Sequence, residues 1–207
     1  AVTELPTSVM LLLILSAFLA GFIDAIAGGG GLLTVPALLA SGLPPHMALG
    51  TNKLAATFGS ITASYAFYKK QLFSPAFWRI SILATAIGAT TGTVFVSVIN
   101  AESLNKLLPI LIGFSALYAL FNPVKASDSV TLPDNCQQLK TKQGTQGFIL
   151  GFYDGFAGPG TGAFWTVSNL ILYKMNLLLS SGVARAMNFV SNFCSLLAFI
   201  YLGHVNF

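Results

Sequence analysis

Apolar runs dominate this chain, and two of them are interrupted at matching places. The run from Val9 to Ala27 meets Asp24 and then four consecutive glycines, within "GFIDAIAGGGGLLTVPAL". A buried charge and a broken helix are both costly in hydrocarbon. Each unpaired backbone N–H or C=O there costs several kcal/mol, so a break survives only where protein or a cavity satisfies it. That requirement restricts the fold more than any other feature of the sequence.

Charged residues make up 8% of the chain and hydrophobic residues 55%, with a mean hydropathy of +0.77. A soluble domain is roughly a quarter charged. The expectation is therefore an all-α polytopic membrane protein with no sizeable soluble domain, its constant partner being the lipid bilayer. The net charge of +4 is spread singly or in pairs over short loops. That suits membrane orientation and argues against nucleic acid. Cys136 and Cys194 lie far apart, without a CxxC spacing or a nearby histidine, so neither a disulfide nor a metal site is expected. Val9 to Ala27 is read as a membrane segment and not a signal peptide, because no basic residue precedes it and it runs into the Asp24 motif.

Further segments follow. Leu32 to Ala40 is short and ends at the turn "SGLPPH". Spans are expected at about Met47 to Tyr68, Phe77 to Ile99 and Leu104 to Phe121. The stretch Asn122 to Gly147 is polar and reads as a surface loop. Phe148 to Ala157 and Ala163 to Tyr173 flank "GPGTG", and a last span covers about Leu177 to Leu202. The division expected is a first membrane repeat at 1–122, a polar loop at 123–146 and a second repeat at 147–207. Lys69, Lys70 and Arg79 flank one loop, and Lys125, Lys140 and Lys142 lie in another. Two spans separate these loops, so both fall on the cytoplasmic side by the positive-inside rule. At about 1.5 Å per residue, Leu32 to Ala40 covers roughly 14 Å of a roughly 30 Å core. It cannot cross alone, which favours a broken or re-entrant element and leaves the N-terminal side open.

The repeat is visible directly. "GFIDAIAGGG" from Gly21 aligns with "GFYDGFAGPG" from Gly151, pairing Asp24 with Asp154, Gly28 with Gly158 and Gly30 with Gly160. Further on, with some drift, Asn52 pairs with Asn188. Two halves with interrupted apolar segments in the same place point to a transporter site. The helix resuming after each break offers free N–H groups and a positive dipole end, which is an anion site. The residues expected to bind substrate are Gly28, Gly29, Gly30, Gly31, Asn52 and Lys53 in the first half. In the second they are Gly158, Gly160, Thr161, Gly162, Arg185 and Asn188. The competing reading gives the glycines to close helix packing. Arg185, Asn188 and Asn192, spaced i, i+3, i+7, share one face of the last span. Lys53 either faces the bundle interior or snorkels to the interface. His46 and His204 lie at span edges. "GPGTG" lacks the following Lys-Ser/Thr of a P-loop.

"AGFIDAIAGGGGLLTVPALLASGLPPHMALGTNKL" together with "GFYDGFAGPGTGAF" closely resembles the sulfite exporter TauE/SafE family, also called the toluene-sulfonate uptake permease group. The resemblance covers essentially the whole chain. It implies a multi-pass inner-membrane protein of two fused repeats that exports or takes up sulfite, sulfonates and related small organic anions. No cofactor and no enzymatic activity are implied. Members close with two further spans after the helix equivalent to that of Asn188, so this chain is expected to lack about that much. The aligned starts differ too: Val9 to Ala17 are apolar and Leu139 to Gly147 polar, so the breaks are expected to be reached by segments of different length.

Asp24 and Asp154 are the proton-coupling candidates. Apolar surroundings and the negative end of a helix dipole both oppose ionisation there. Each carboxylate is placed to compete with substrate for the N–H groups of its break; the alternative is a fixed helix cap. Two other functions are weighed against secondary anion transport: a membrane-embedded enzyme, against which stands the lack of a nucleophile beside a base, and a non-transporting assembly subunit. Self-association is compatible with all three.

Overall fold

The computed structural model describes residues 7–121 and 137–206, and every regular element among them is helical. In chain order these are α1 (Thr7–Ala27), α2 (Gly31–Ala40), α3 (Pro45–Lys69), α4 (Arg79–Ser97), α5 (Ala101–Phe121), α6 (Gln137–Phe156), α7 (Thr161–Tyr173) and α8 (Leu177–Tyr201). Among the described residues, α4, α5 and α8 are both long and apolar enough to cross a membrane. The 25 residues of α3 reach about 37 Å. Its polar residues Asn52, Lys53, Thr57 and Ser60 are buried among its neighbours.

One expectation is overturned. Residues 137–146, assigned to a polar loop, form the first half of α6. Their polar groups find partners across helix interfaces. Gln143 Nε2 donates to the Phe77 carbonyl, Gln146 Nε2 donates to Ser168 and Asn169, and Tyr173 donates to Gln146 Oε1 at 2.7 Å. As a result α6, with 20 residues, nearly equals α1, with 21. The two still differ in character: Met10–Asp24 of α1 is an apolar stretch, and α6 has no comparable one among the described residues. Lys125 and Cys136 lie outside the described residues.

The most extensive packing joins α4 to α6, and small residues make it close. Gly147, Gly151 and Gly155 lie against the carbonyls of Ser81, Thr85 and Ala89, while Gly88 and Gly92 lie against the backbone at Phe148 and Phe152. Without a hydrophobic force between helices in lipid, such backbone contact is what holds them. Residue numbers rise together along both helices, so they run parallel, and the Arg79 end lies beside the Lys140 and Lys142 end. α3 and α8 run antiparallel, since Gly50 meets His204 and Phe199 while Gly182 meets Phe67 and Leu72.

These directions sort the ends. Lys69, Lys70, Arg79, Lys140, Lys142 and Lys174 gather at one end, which the positive-inside rule makes cytoplasmic. At the other end His46 Nε2 lies 3.1 Å from the Val96 carbonyl, the His46 and His204 rings lie 5.1 Å apart, and Asn206 N–H donates to Thr51. α2 folds back on α1, bringing Ala37, Ala40 and Ser41 beside Ser8 and Leu12. The α1–α2 hairpin therefore opens at the outer end. The α6–α7 hairpin opens at the basic end, where Tyr173 packs on Trp78.

Candidate functional site

The tips of the two hairpins touch inside the bundle. Gly28 and Gly158, aligned in the sequence, both turn the chain with φ of 70° and 92°. Glycine holds that left-handed conformation without the strain a Cβ brings. Gly162 N–H donates to the Gly28 carbonyl at 3.1 Å. Gly28 and Gly162 approach so closely that a methyl on either would collide with the other's backbone, and on Gly28 with Arg185 as well. On the other side of the junction Gly31 lies against Pro159 and Asn52.

The charged groups expected from sequence converge here. Lys53 and Arg185 are each 1% exposed, so Lys53 does not snorkel. Its Nζ donates to Asp154 Oδ1 at 2.7 Å, to the Asp154 carbonyl at 2.5 Å and to Asn192 Oδ1 at 3.1 Å. Those three acceptors use the full donor capacity of an ammonium. Asp154 also accepts from Thr161 at Oδ1 and from Ser191 at Oδ2.

The first half is arranged differently. Arg185 Nη1 donates to the Asp24 carbonyl at 2.7 Å, not to its carboxylate, and Arg185 Nε has no partner among the described residues. Asp24 Oδ1 accepts from Gly30 N–H at 3.2 Å, while Oδ2 has no partner. A cavity of about 30 Å³ lies beside Asp24, lined also by Gly30, Gly31, Thr34, Asn52 and Gly59. Thr34 closes one wall, its hydroxyl donating to Asn52 Oδ1 and lying 3.2 Å from the Gly30 carbonyl.

Most of the candidates thus meet in one place. Gly28, Gly30, Gly31, Asn52, Lys53, Gly158, Thr161, Gly162 and Arg185 all touch the junction. Gly160 packs on Ser115 of α5, where an added methyl would lie 2.9 Å from its Cβ. Gly29 points to Leu32 and Ile23 and away from the junction. Asn188 is buried on the same α8 face as Arg185 and Asn192. The tips are in direct contact and do not flank a gap. Several N–H groups of the breaks already have acceptors: Gly30 in Asp24, Leu32 in Gly29, Thr161 in Gly158, Gly162 in Gly28. An anion at these N–H groups would have to replace protein acceptors.

Three participants escaped the sequence reading. Ser191 sits in a buried polar stripe with Asn188, Asn192 and Ser195, and that spacing was the available signal. Thr34 follows the glycine run by less than one turn. Tyr153 stands where the first motif has Ile23; its hydroxyl donates to the Pro159 carbonyl at 2.8 Å and lies 2.7 Å from Ser115 Oγ.

Comparison with known proteins identifies a family. The profile of the family described as Sulfite exporter TauE/SafE matches residues 13–207. A probable membrane transporter protein of Haemophilus influenzae is 40% identical over 192 residues, covering 91% of this chain and 72% of that protein. The probable membrane transporter protein YfcA of Escherichia coli K12 is 39% identical over 194 residues, 91% of this chain and 69% of its own length. The probable membrane transporter protein ORF9 of a Sinorhizobium species is 33% identical over 206 residues, 98% and 76% respectively. No solved structure gives a significant match.

Proposed function

We propose, from the premise that this chain belongs to the sulfite exporter TauE/SafE family of multi-pass inner-membrane transporters, that it carries small anions through the junction of its two hairpins. The substrates proposed are sulfite, sulfonates or related organosulfur oxyanions, and transport is coupled to protons. The two stretches 7–121 and 137–206 act as tandem repeats of opposite orientation, each supplying one Gly-rich break.

One observation carries this reading. Arg185 is a buried guanidinium at the meeting point of both breaks, it forms no ion pair among the described residues, and its Nε is unused. A buried cation is costly unless something pairs with it, and an oxyanion accepting a guanidinium hydrogen bond is a strong partner. Two helix N-termini, of α2 and α7, support the same sign of charge. Asn52 and Asn188 are the neutral groups placed to orient the substrate. Asp24 and Asp154, one in each break, are the candidate carboxylates through which a proton gradient acts.

The test is flux of labelled sulfite, sulfoacetate, taurine and thiosulfate in proteoliposomes of the full natural protein. Saturable uptake of one or more, driven by a pH gradient, is expected. Release of a chemically altered product without flux would make it a membrane enzyme. Absence of both, with a partner protein co-purifying, would make it an assembly subunit.

A further inference from the structure

We infer that Asp24 alone carries the coupling proton, on its unpartnered Oδ2, and that Asp154 is the permanent counter-ion of Lys53. This rests on the proton-coupled anion transport proposed above and assigns its coupling to one of two sequence-equivalent carboxylates.

The two aspartates occupy matching motifs but opposite situations. Both oxygens of Asp154 hold donors: Lys53 and Thr161 on Oδ1, Ser191 on Oδ2. Protonating it would set a neutral acid against a buried ammonium that has no other carboxylate within reach among the described residues. Removing one member of a buried pair in this way leaves an uncompensated charge. Asp24 is also buried, at 6% exposure, yet among the described residues its only side-chain bond comes from the Gly30 N–H to Oδ1. Its Oδ2 has no hydrogen-bond partner among the described residues and almost no accessible surface, so nothing there compensates a negative charge. Gly59 on α3 lies beside it, where an added methyl would be 3.4 Å from Oδ2.

The charged groups acting on Asp24 from neighbouring elements are Arg185 of α8, Lys53 of α3 and Asp154 of α6. With Lys53 bound to Asp154, the balance of the remaining site is Arg185 against Asp24. Those charges cancel, so an anion held by Arg185 leaves one uncompensated negative charge in a low-dielectric site. Taking a proton onto Asp24 Oδ2 restores neutrality while Arg185 holds the anion. Anion and proton then travel as a neutral pair, and releasing one expels the other.

Infrared difference spectroscopy of the full-length protein, with sulfite added as probe, reads the protonated acid directly. Sulfite should produce a new carboxylic-acid band that shifts in heavy water. Asp24→Glu should move that band and Asp24→Asn should abolish it. The double variant Lys53→Gln with Asp154→Asn, which removes both members of the ion pair, should keep it unchanged. Where that double variant does not fold, Asp154→Glu serves, and the band should stay in place. A band that persists unmoved in the Asp24 variants, or that follows Asp154, overturns the inference. Sulfite binding without any band overturns it too, while leaving anion transport standing. Failure of all four anions to bind or move would instead remove the transport reading on which it rests.

Discussion

A methyl group at Gly158 would lie 2.9 Å from Lys53 Nζ on a backbone with φ of 92°, whereas at Gly21 nothing lies within 4 Å. Gly158→Ala should therefore lose more than about 1 kcal/mol in detergent thermal unfolding. Gly21→Ala should be neutral or gain up to about 1 kcal/mol by favouring the helix. Equal losses at both would mean that the turn conformation is not what the glycine supplies. Lys53→Gln alone should cost about 3–5 kcal/mol, because it strands a buried carboxylate. Joined to Asp154→Asn, much of that loss should return, and a double variant no better than the single would refute the pairing. At the outer end, burial and then the neighbouring His46 push the His204 imidazole below its ordinary value. A group lowered on folding binds fewer protons folded than unfolded. Its neutral form favours the fold, so stability should fall as pH drops below about 6.5. His204→Gln should flatten that part of the stability profile. Sequence alone placed Lys53, Arg185 and both aspartates near the breaks, because charges in apolar runs are conspicuous. It could not say that Lys53 belongs to Asp154 and Arg185 to the Asp24 carbonyl, since those partners lie more than a hundred residues away.

Helix starts and stops were mostly legible, because apolar length and Gly-Pro punctuation mark them. The first half of α6 was not, since Gln143 and Gln146 look solvent-bound until their partners on the α3–α4 connection and α7 are known. The α4–α6 contact was legible in principle from Gly147-xxx-Gly151-xxx-Gly155, a small-residue spacing that permits backbone approach. It gives a prediction about the element as a whole. Gly155→Val would press side-chain atoms into the Ala89 carbonyl, while Gly144→Ala would meet only Ile80 Cγ2 at 3.8 Å. The yield of monodisperse protein on size exclusion should collapse for the first and hold for the second. Similar yields would show that α4 and α6 can separate without loss.

For the whole molecule, the ends of the helices fix an orientation that composition left open. The hairpin α1–α2 starts from the outer side and α6–α7 from the basic, cytoplasmic side, so their tips meet from opposite directions. With Cys136 and Cys194 replaced by serine, Ser8→Cys should react with an impermeant thiol reagent from outside the cell, and Lys142→Cys only after lysis. Reaction of both from one side would break the opposed arrangement. Opposed tips meeting at a buried, unpaired guanidinium are the centre of this account, and Arg185 is where it is most exposed to test. The decisive measurement is the KM for sulfite uptake by proteoliposomes carrying the parent protein, Arg185→Gln, and Lys106→Gln, an exposed cation paired only with Glu102. Loss of a charge-assisted hydrogen bond worth about 1.5–3 kcal/mol predicts a KM for Arg185→Gln raised at least roughly tenfold, with Lys106→Gln like the parent. An unchanged KM in a folded Arg185→Gln protein would contradict the claim that the anion binds where the two hairpins meet.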